Sequence, residues 1–299
     1  MSKASIQALP WATAASGKLR DYAQLIKLRL SSLVVFSSAI GYLFAMDGRV
    51  EWISMLWLLL AGFAVTASSN ALNEVIEKDF DRLMDRTRNR PLPQERMSVT
   101  EALLVSGILG VGGIVIFWIY FNQLSAVLSA VALLSYAFIY TPLKRYSPVA
   151  VFVGALPGAL PPLIGWVSAT GTFSVEAFSL FVIQFMWQFP HFWAIAWVSW
   201  DDYLKAGYRL LPSKEGRNRF SALQNILFII VLIPASLLPA FLGMTEMISS
   251  IIVVACGIVF LVQAIQLYKH VTVESARKLM FGSFIYLPVV LLALYLDRG

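Results

Sequence analysis

The sequence predicts an all-α membrane protein with nine transmembrane helices, its N-terminus cytoplasmic and its C-terminus outside. Three observations carry this: composition, the length of the apolar runs, and where the basic residues fall. Of 299 residues 59% are hydrophobic and 13% charged, and the mean hydropathy is +0.73. Nine apolar runs approach or exceed the roughly 20 residues that a helix needs to cross the hydrocarbon. A spanning backbone must satisfy its own hydrogen bonds, and the alternating pattern of a barrel is absent, so the runs are helices.

In chain order, residues 1–24 read as a polar N-terminal tail with no apolar core of a cleavable signal and no convincing transit peptide. Residues 25–299 read as a single transmembrane domain. Its runs are 27–46, 52–73, 102–121, 123–141, 148–168, 174–199, 221–243, 248–268 and 279–296. Only Phe121-Asn122-Gln123 separates the third from the fourth. The fifth carries Pro157, Pro161 and Pro162, which predict a kink. With the N-terminus inside, 21 of the 23 Lys and Arg residues fall in inside segments, and only Arg49 and Arg298 fall outside. The inside loops near 75–101 and 200–220 are also the long ones, so chemistry is expected on that face.

Composition excludes several classes. The single Cys256 rules out a disulfide or a thiolate metal cluster within one chain. Two His residues cannot build a bis-His dihaem cytochrome b. A pI near 9.4 does not point to nucleic acid, because the positive charge is distributed among membrane loops.

The most informative stretch is residues 73–93, NEVIEKDFDRLMDRTRNRPLP, which packs five carboxylates and five basic residues behind an apolar run. Asn73, Glu77, Asp81 and Asp85 recur every four positions, so on a continuous helix they share one face over three turns. Hard oxygen ligands in this arrangement suit Mg²⁺, and the neighbouring Arg residues suit a polyanion. A solvated helix end leaving the membrane is the plainer alternative. Against it, five carboxylates within twelve residues repel one another unless a cation lies among them.

A second acidic stretch, SWDDYLKAGYRLLP at 199–212, sets Asp201, Asp202 and Lys205 on the same face of the membrane. Paired with the first, it offers two carboxylate groups that could hold metal ions against a diphosphate. Tyr140, Lys144 and Arg145 close the fourth run there, as membrane anchors or as a clamp on phosphate oxygens. Lys27 and Arg29 allow the same two readings. Within the sixth run Gln188, Pro190 and His191 lie at membrane depth, where polar groups suggest function, although a His satisfied by a neighbouring helix serves equally.

These blocks together resemble the UbiA-type intramembrane prenyltransferases. Asn73-x₃-Glu77-x₃-Asp81 resembles the family's first aspartate-rich motif. Met84, Arg86-Thr87, Asn89-Arg90-Pro91, Tyr140-Thr141, Leu143-Lys144-Arg145, Phe189-Pro190-His191-Phe192-Trp193 and Asp202-Tyr203…Gly207 resemble its haem-farnesylating branch, in order, over roughly residues 22–296. Three positions depart from the pattern: Glu77 stands where Asp is usual, Gln188 where Asp is frequent, and Leu28 where Pro often follows Lys27.

The resemblance implies a nine-helix bundle around a central cavity open to lipid, in a cell inner membrane, with the active site facing the cytoplasm. It implies farnesyl diphosphate and haem B as substrates, and a haem-modifying or oxidase-assembly protein as a further partner. Mg²⁺ would lie on Asn73, Glu77 and Asp81, and opposite on Asp201 and Asp202. Asp81, Asp201 and Lys144 would be catalytic. Lys27, Arg86, Arg90, Tyr140, Arg145 and Lys205 would contact substrate, and His191 would orient or ligate the haem. Two readings compete, one of the same class and one of a different class. A relative prenylating a quinone precursor or a chlorophyll-like acceptor would share the acidic motifs. An ion-coupled transporter or haem carrier would set its ionisable residues near the bilayer midplane, whereas these crowd one face.

Overall fold

The computed structural model describes residues 10–46 and 50–299. Residues 1–9 of the expected polar tail and 47–49 of the first outside loop lie beyond them. The regular elements among the described residues are helices. They run α1 Pro10–Leu25, α2 Leu28–Ala45, α3 Trp52–Ile76, α4 Lys78–Asp81, α5 Val99–Ile116, α6 Gln123–Leu134, α7 Thr141–Leu143 and α8 Ala150–Thr170. They continue as α9 Val175–Val198, α10 Trp200–Lys205, α11 Arg219–Ser236, α12 Leu238–Phe241, α13 Met247–His270 and α14 Val273–Leu296. Wide π turns extend α5 over Phe117–Phe121 and α6 over Ser135–Tyr140.

Among the described residues eight helices are long and apolar enough to cross a membrane: all of α2, α3, α8, α13 and α14, and α5, α6 and α11 with their extensions. The sixth predicted span, α9, is a 24-residue helix made less apolar by Gln184, Gln188 and His191. Apolar side chains cover the outside of the bundle, with Ile108, Phe241 and Leu296 each more than two-thirds exposed. Polar side chains are drawn inward, as a lipid-facing protein requires.

The helices approach closely through small residues. A Cβ on Gly165 would collide with the Ser38 carbonyl, and one on Gly41 with the Pro162 carbonyl, so α2 and α8 pack backbone against backbone. Ser68 of α3 and Ser106 of α5 bond each other and each other's carbonyls. The Pro-rich fifth run is one uninterrupted helix, α8. Pro162 lacks the N–H that would serve the Gly158 carbonyl, and Gln184 of α9 donates to that carbonyl at 2.7 Å. Gln188 donates to the Ala155 carbonyl at 3.1 Å one turn away.

Part of the expected tail is structured. Residues 10–25 form α1, because Leu25 is fully buried, Tyr22 donates to Glu101 at 2.7 Å, and Asp21 pairs with Arg96 at 2.9 Å. The helix thereby braces the loop that follows α4.

Candidate functional site

The expected continuous helix over Asn73–Asp85 is broken. α3 ends at Ile76, Glu77 has φ −95° and ψ 3°, and α4 makes a single short turn. α4 in turn ends at Asp81, the third oxygen-bearing residue, and the chain is redirected there. Asn73, Glu77 and Asp81 therefore line one cavity, whereas Asp85 is exposed and paired with Arg88 and Lys205. Residues 82–97 then fold back over this end of the bundle. Arg82 reaches the Pro93 carbonyl and Glu95, Arg96 reaches the Asn89 carbonyl, and Met84, Leu92 and Met97 are buried.

The cavity lies where the start of α2 meets the ends of α3, α6 and α9. Besides the three oxygen donors, Lys27, Arg86, Arg90, Lys144, Tyr136, Tyr140, Tyr203 and Tyr208 line it. Each donor is matched to a cation. Lys27 Nζ donates to Asn73 Oδ1 at 2.8 Å, Arg90 Nη1 to Asp81 Oδ2 at 2.6 Å, and Lys144 pairs with Glu77. Asn73 Nδ2 donates to Glu77 Oε2 at 2.9 Å and to Thr141 Oγ1 at 3.1 Å, which ties α3 to α7. Lys27 reaches this place from a left-handed backbone conformation, φ 47° and ψ 57°, unusual for a residue with a side chain.

Electrostatics follow from this pairing. Burial, reinforced by the nearby Arg90, lowers the Lys27 ammonium to about 7. Burial pushes the Glu77 carboxyl up, but Lys144 and the Tyr208 hydroxyl, which donates at 3.0 Å, hold it below its ordinary value. At Asp81 burial prevails over Arg90 and the carboxyl is raised. Among the described residues Asp81 Oδ1 is buried without a partner, as are both oxygens of Glu74, which lies 4.0 Å from Arg90 Nε. Aromatic faces border the cations: Lys144 lies 5.1 Å from the Tyr140 ring and 5.5 Å from that of Tyr208, and Arg86 5.7 Å from that of Tyr203.

The second acidic stretch meets the first in a different way from that expected. Asp202 accepts the backbone N–H groups of Asp85 at 2.7 Å and Arg86 at 3.1 Å, and Lys205 bridges Asp85 and Asp202. Asp201 points away, 78% exposed, and pairs with Arg217 at 2.9 Å. Neither aspartate lines the cavity, and among the described residues no three acidic, His or Cys side chains gather as a metal cluster. Arg145 lies outside the cavity lining, stacked over Phe80 at 4.0 Å. His191 lies elsewhere, between α9 and α14.

Sequence reasoning passed over Tyr136, Tyr203 and Tyr208 as cavity residues. The π turn at Ser135–Tyr140 brings Tyr136 and Tyr140 to the chamber, and the positive φ of Gly207, 74°, turns Tyr208 back into the bundle. The signal available in the sequence was the density of Tyr around Lys144-Arg145 and within 199–212.

Fold and site together define the class: a helical bundle with lipid-facing walls and a charge-compensated polar chamber at one end of its helices. The chain belongs to the UbiA prenyltransferase family, which it matches over residues 34–287. It is 46% identical over 283 residues to protoheme IX farnesyltransferase of Cytophaga hutchinsonii, covering 95% of this chain and 99% of that protein. It is 43% identical over 285 residues to the protein of the same name from Flavobacterium johnsoniae, covering 93% and 94%. Its fold is similar to that of a digeranylgeranylglyceryl phosphate synthase, with TM-score 0.78 and 23% identity, covering 94% of this chain and 98% of that one. It is also similar to that of a UbiA homolog from Archaeoglobus fulgidus bound to GPP and Mg²⁺, with TM-score 0.70 and 16% identity over 92% and 99%.

Proposed function

We propose that this protein transfers a farnesyl group from farnesyl diphosphate to a vinyl group of haem B with addition of water, giving haem O and diphosphate. The observation that carries this reading is the joining of Asn73, Glu77 and Asp81 to Lys27, Arg90 and Lys144 in one buried chamber. The names of the relatives supply the acceptor.

The donor set fits Mg²⁺. It is made of hard oxygens, and Asp81 Oδ1 is a buried acceptor without a partner among the described residues. Asn73, Glu77 and Asp81 would hold the ion, which when bound neutralises charge on the diphosphate. Lys27, Arg90 and Lys144, now paired with those same oxygens, supply the cations that turn to phosphate oxygens. Arg86 adds to them from the rim. The C1–O bond of the allylic diphosphate breaks and its electron pair leaves with the phosphate oxygen. The vinyl π electrons form the new bond to farnesyl C1, water oxygen bonds to the resulting cation, and one proton is released. Tyr136, Tyr140 and Tyr208 present ring faces to the developing cation, worth about 0.5–2 kcal/mol per contact. Asp202 and Lys205 hold the loop that carries Arg86, and Asp201 and Arg145 stay at the periphery.

In the membrane we place nine crossings, with α9 as the sixth, the N-terminus in the cytoplasm and the C-terminus outside, in a cell inner membrane. The distribution of basic residues supports this, since the chamber lies at the end where they concentrate. Reporter fusions at the two termini test the orientation. The activity is tested by incubating the detergent-purified protein with haem B, farnesyl diphosphate and Mg²⁺, with and without chelator, and weighing the haems by mass spectrometry. A chelator-sensitive hydroxyethylfarnesyl haem is expected. Unmodified haem, in a folded protein that binds farnesyl diphosphate, would overturn the acceptor and favour a quinone precursor.

A further inference from the structure

Glu74 is a buried carboxyl that the proposed reaction leaves unused. It stands one residue beyond Asn73 on α3, about 100° round the helix, and its side chain does not line the chamber that Asn73 and Glu77 line. It is fully buried, and neither oxygen makes a hydrogen bond among the described residues. Ionised or protonated, such a group is costly where water cannot reach it. Buried polar groups are almost always satisfied, so this one calls for a partner that comes to it in another state of the protein.

Arg90 is placed to be that partner. Its Nε lies 4.0 Å from Glu74 Oε2, while its Nη1 donates to Asp81 Oδ2 at 2.6 Å. A guanidinium carries five N–H donors in a rigid fork, and the bond to Asp81 is the one hydrogen bond the Arg90 side chain makes among the described residues. Unused donors thus lie beside unused acceptors: Glu74 Oε1, Glu74 Oε2 and Asp81 Oδ1. Lys27, the other cation whose field reaches Glu74, is committed to Asn73 Oδ1 at 2.8 Å. The Leu92 N–H borders the carboxyl without meeting hydrogen-bond geometry.

The main chain holds Arg90 between the two carboxylates. Its N–H donates to the Thr87 carbonyl at 2.9 Å, and Thr87 Oγ1 donates to the Asp81 carbonyl at 3.0 Å. Pro91, whose ring fixes φ, follows directly. Exchange between Asp81 and Glu74 is therefore a side-chain motion, and about 1 Å of approach brings Nε into hydrogen-bond range of Glu74.

We propose that Glu74 is a positioning residue that receives Arg90 when Asp81 turns to a metal ion. This rests on the reading of Asp81 as a metal ligand. Arg90 now occupies Asp81 Oδ2, and a cation at Asp81 would repel the guanidinium. Glu74 then takes the Nε edge, keeps a negative charge beside it, and leaves the Nη edge toward the chamber for phosphate oxygens. The buried carboxyl gains its partner in the loaded state, and Asp81 is freed without stranding the arginine.

Mn²⁺ is the probe, titrated into the full-length protein in detergent and followed by loss of the free-ion signal in electron paramagnetic resonance. Glu74→Gln, which keeps the shape and removes the charge, should melt close to wild type. It should bind Mn²⁺ about tenfold more weakly, within the range for groups that support a metal ligand. In an Arg90→Gln background nothing has to be handed over, so the same change should cost less than about threefold, the mark of coupled positions. Should Arg90→Gln not fold, Arg90→Lys replaces it, since an ammonium pairs with Asp81 but has no second edge. Unchanged Mn²⁺ affinity in Glu74→Gln would overturn the handover, and a large loss in Asp81→Asn would show that the metal reading stands without it. An equal loss with and without Arg90 would also overturn it, because charge alone would explain the effect. If Asp81→Asn binds Mn²⁺ no more weakly than wild type, the metal reading itself fails and the handover with it.

Discussion

Asp201 and Asp202 are adjacent in sequence, and substituting each by Asn should separate two roles that the sequence alone treats as one. Asp202 is 17% exposed and accepts two backbone N–H groups from residues 85 and 86. It thereby pins the loop that presents Arg86 to the chamber. An amide in its place keeps one acceptor and turns an NH₂ group toward the other N–H. Losing one bond to a charged acceptor is worth about 1.5–3 kcal/mol. Expressed wholly in catalysis, that is roughly a tenfold to hundredfold loss in kcat/KM. Asp201, exposed and paired with Arg217, contributes less than about 1 kcal/mol, so Asp201→Asn should stay within a few-fold of wild type. Steady-state kinetics on both variants, with limited proteolysis of residues 82–97, make the comparison. Abolished turnover in Asp201→Asn with an intact loop, and near-normal rates in Asp202→Asn, would refute the clamp and restore Asp201 as a metal ligand.

The clamp also carries a pH signature. Burial raises the Asp202 carboxyl, but the N–H groups of Arg86 and Asp85 outweigh it and hold the group below its ordinary value. A carboxyl depressed in the folded state contributes stability that is fully present above its unfolded value, about 3.9, and is lost as pH falls through the folded one. Asp202's share of loop protection from protease should therefore be constant from neutral pH down to about pH 4 and be lost below it. The acid fall should accordingly be smaller in Asp202→Asn, where the pairs of Asp21, Asp81, Asp85 and Glu95 remain to titrate.

Other substitutions bear on the chamber and the packing. Asp81→Asn should remain folded yet lose at least about a hundredfold in turnover, because a charged oxygen ligand is lost at the reacting diphosphate; near-normal rates would discard Asp81 as a ligand. Lys144→Met strands the buried Glu77 carboxylate, a loss of about 3–5 kcal/mol for breaking a buried pair, so its melting temperature in detergent should fall sharply. Adding Glu77→Gln should recover much of that stability without recovering turnover. Gly165→Val forces α2 from α8 at the Ser38 carbonyl, and overpacking of about 1–3 kcal/mol or more should appear as lowered yield of folded protein.

Helix positions were legible because hydropathy belongs to each residue singly and adds along a run. Gln184 illustrates where that additive signal ends. It puts a polar amide inside the long apolar run of α9, yet that amide is what satisfies the carbonyl freed by Pro162. Both oddities in the sequence are halves of one contact. The chamber follows the same logic: the four-residue spacing correctly grouped Asn73, Glu77 and Asp81, since short steps along α3 and α4 preserve a face. It failed at Asp85, because α4 ends at Asp81 and residues 82–97 fold back, with Arg82 bonded to Pro93 and Glu95.

Asp202 meets residues 85 and 86 across more than a hundred positions of chain, a pairing that no local pattern encodes. The distances resolve the earlier tension for four of the five clustered carboxylates, and the fifth, Asp79, is exposed. Glu77 and Asp81 are matched by Lys144 and Arg90, Glu74 lies near that same Arg90, and Asp85 is matched by Lys205 and Arg88. The acidic helix end is thus tolerable because Arg88 and Arg90 of the same stretch, with Lys144 and Lys205 from distant parts of the chain, bring cations to it. Those cations confer stability only while paired, so a diphosphate that takes Lys27, Arg90 and Lys144 must be matched by positive charge on the oxygens it leaves behind. On this arrangement anion binding and metal binding are coupled: each should tighten the other, and farnesyl diphosphate should bind weakly to the protein when divalent ions are removed.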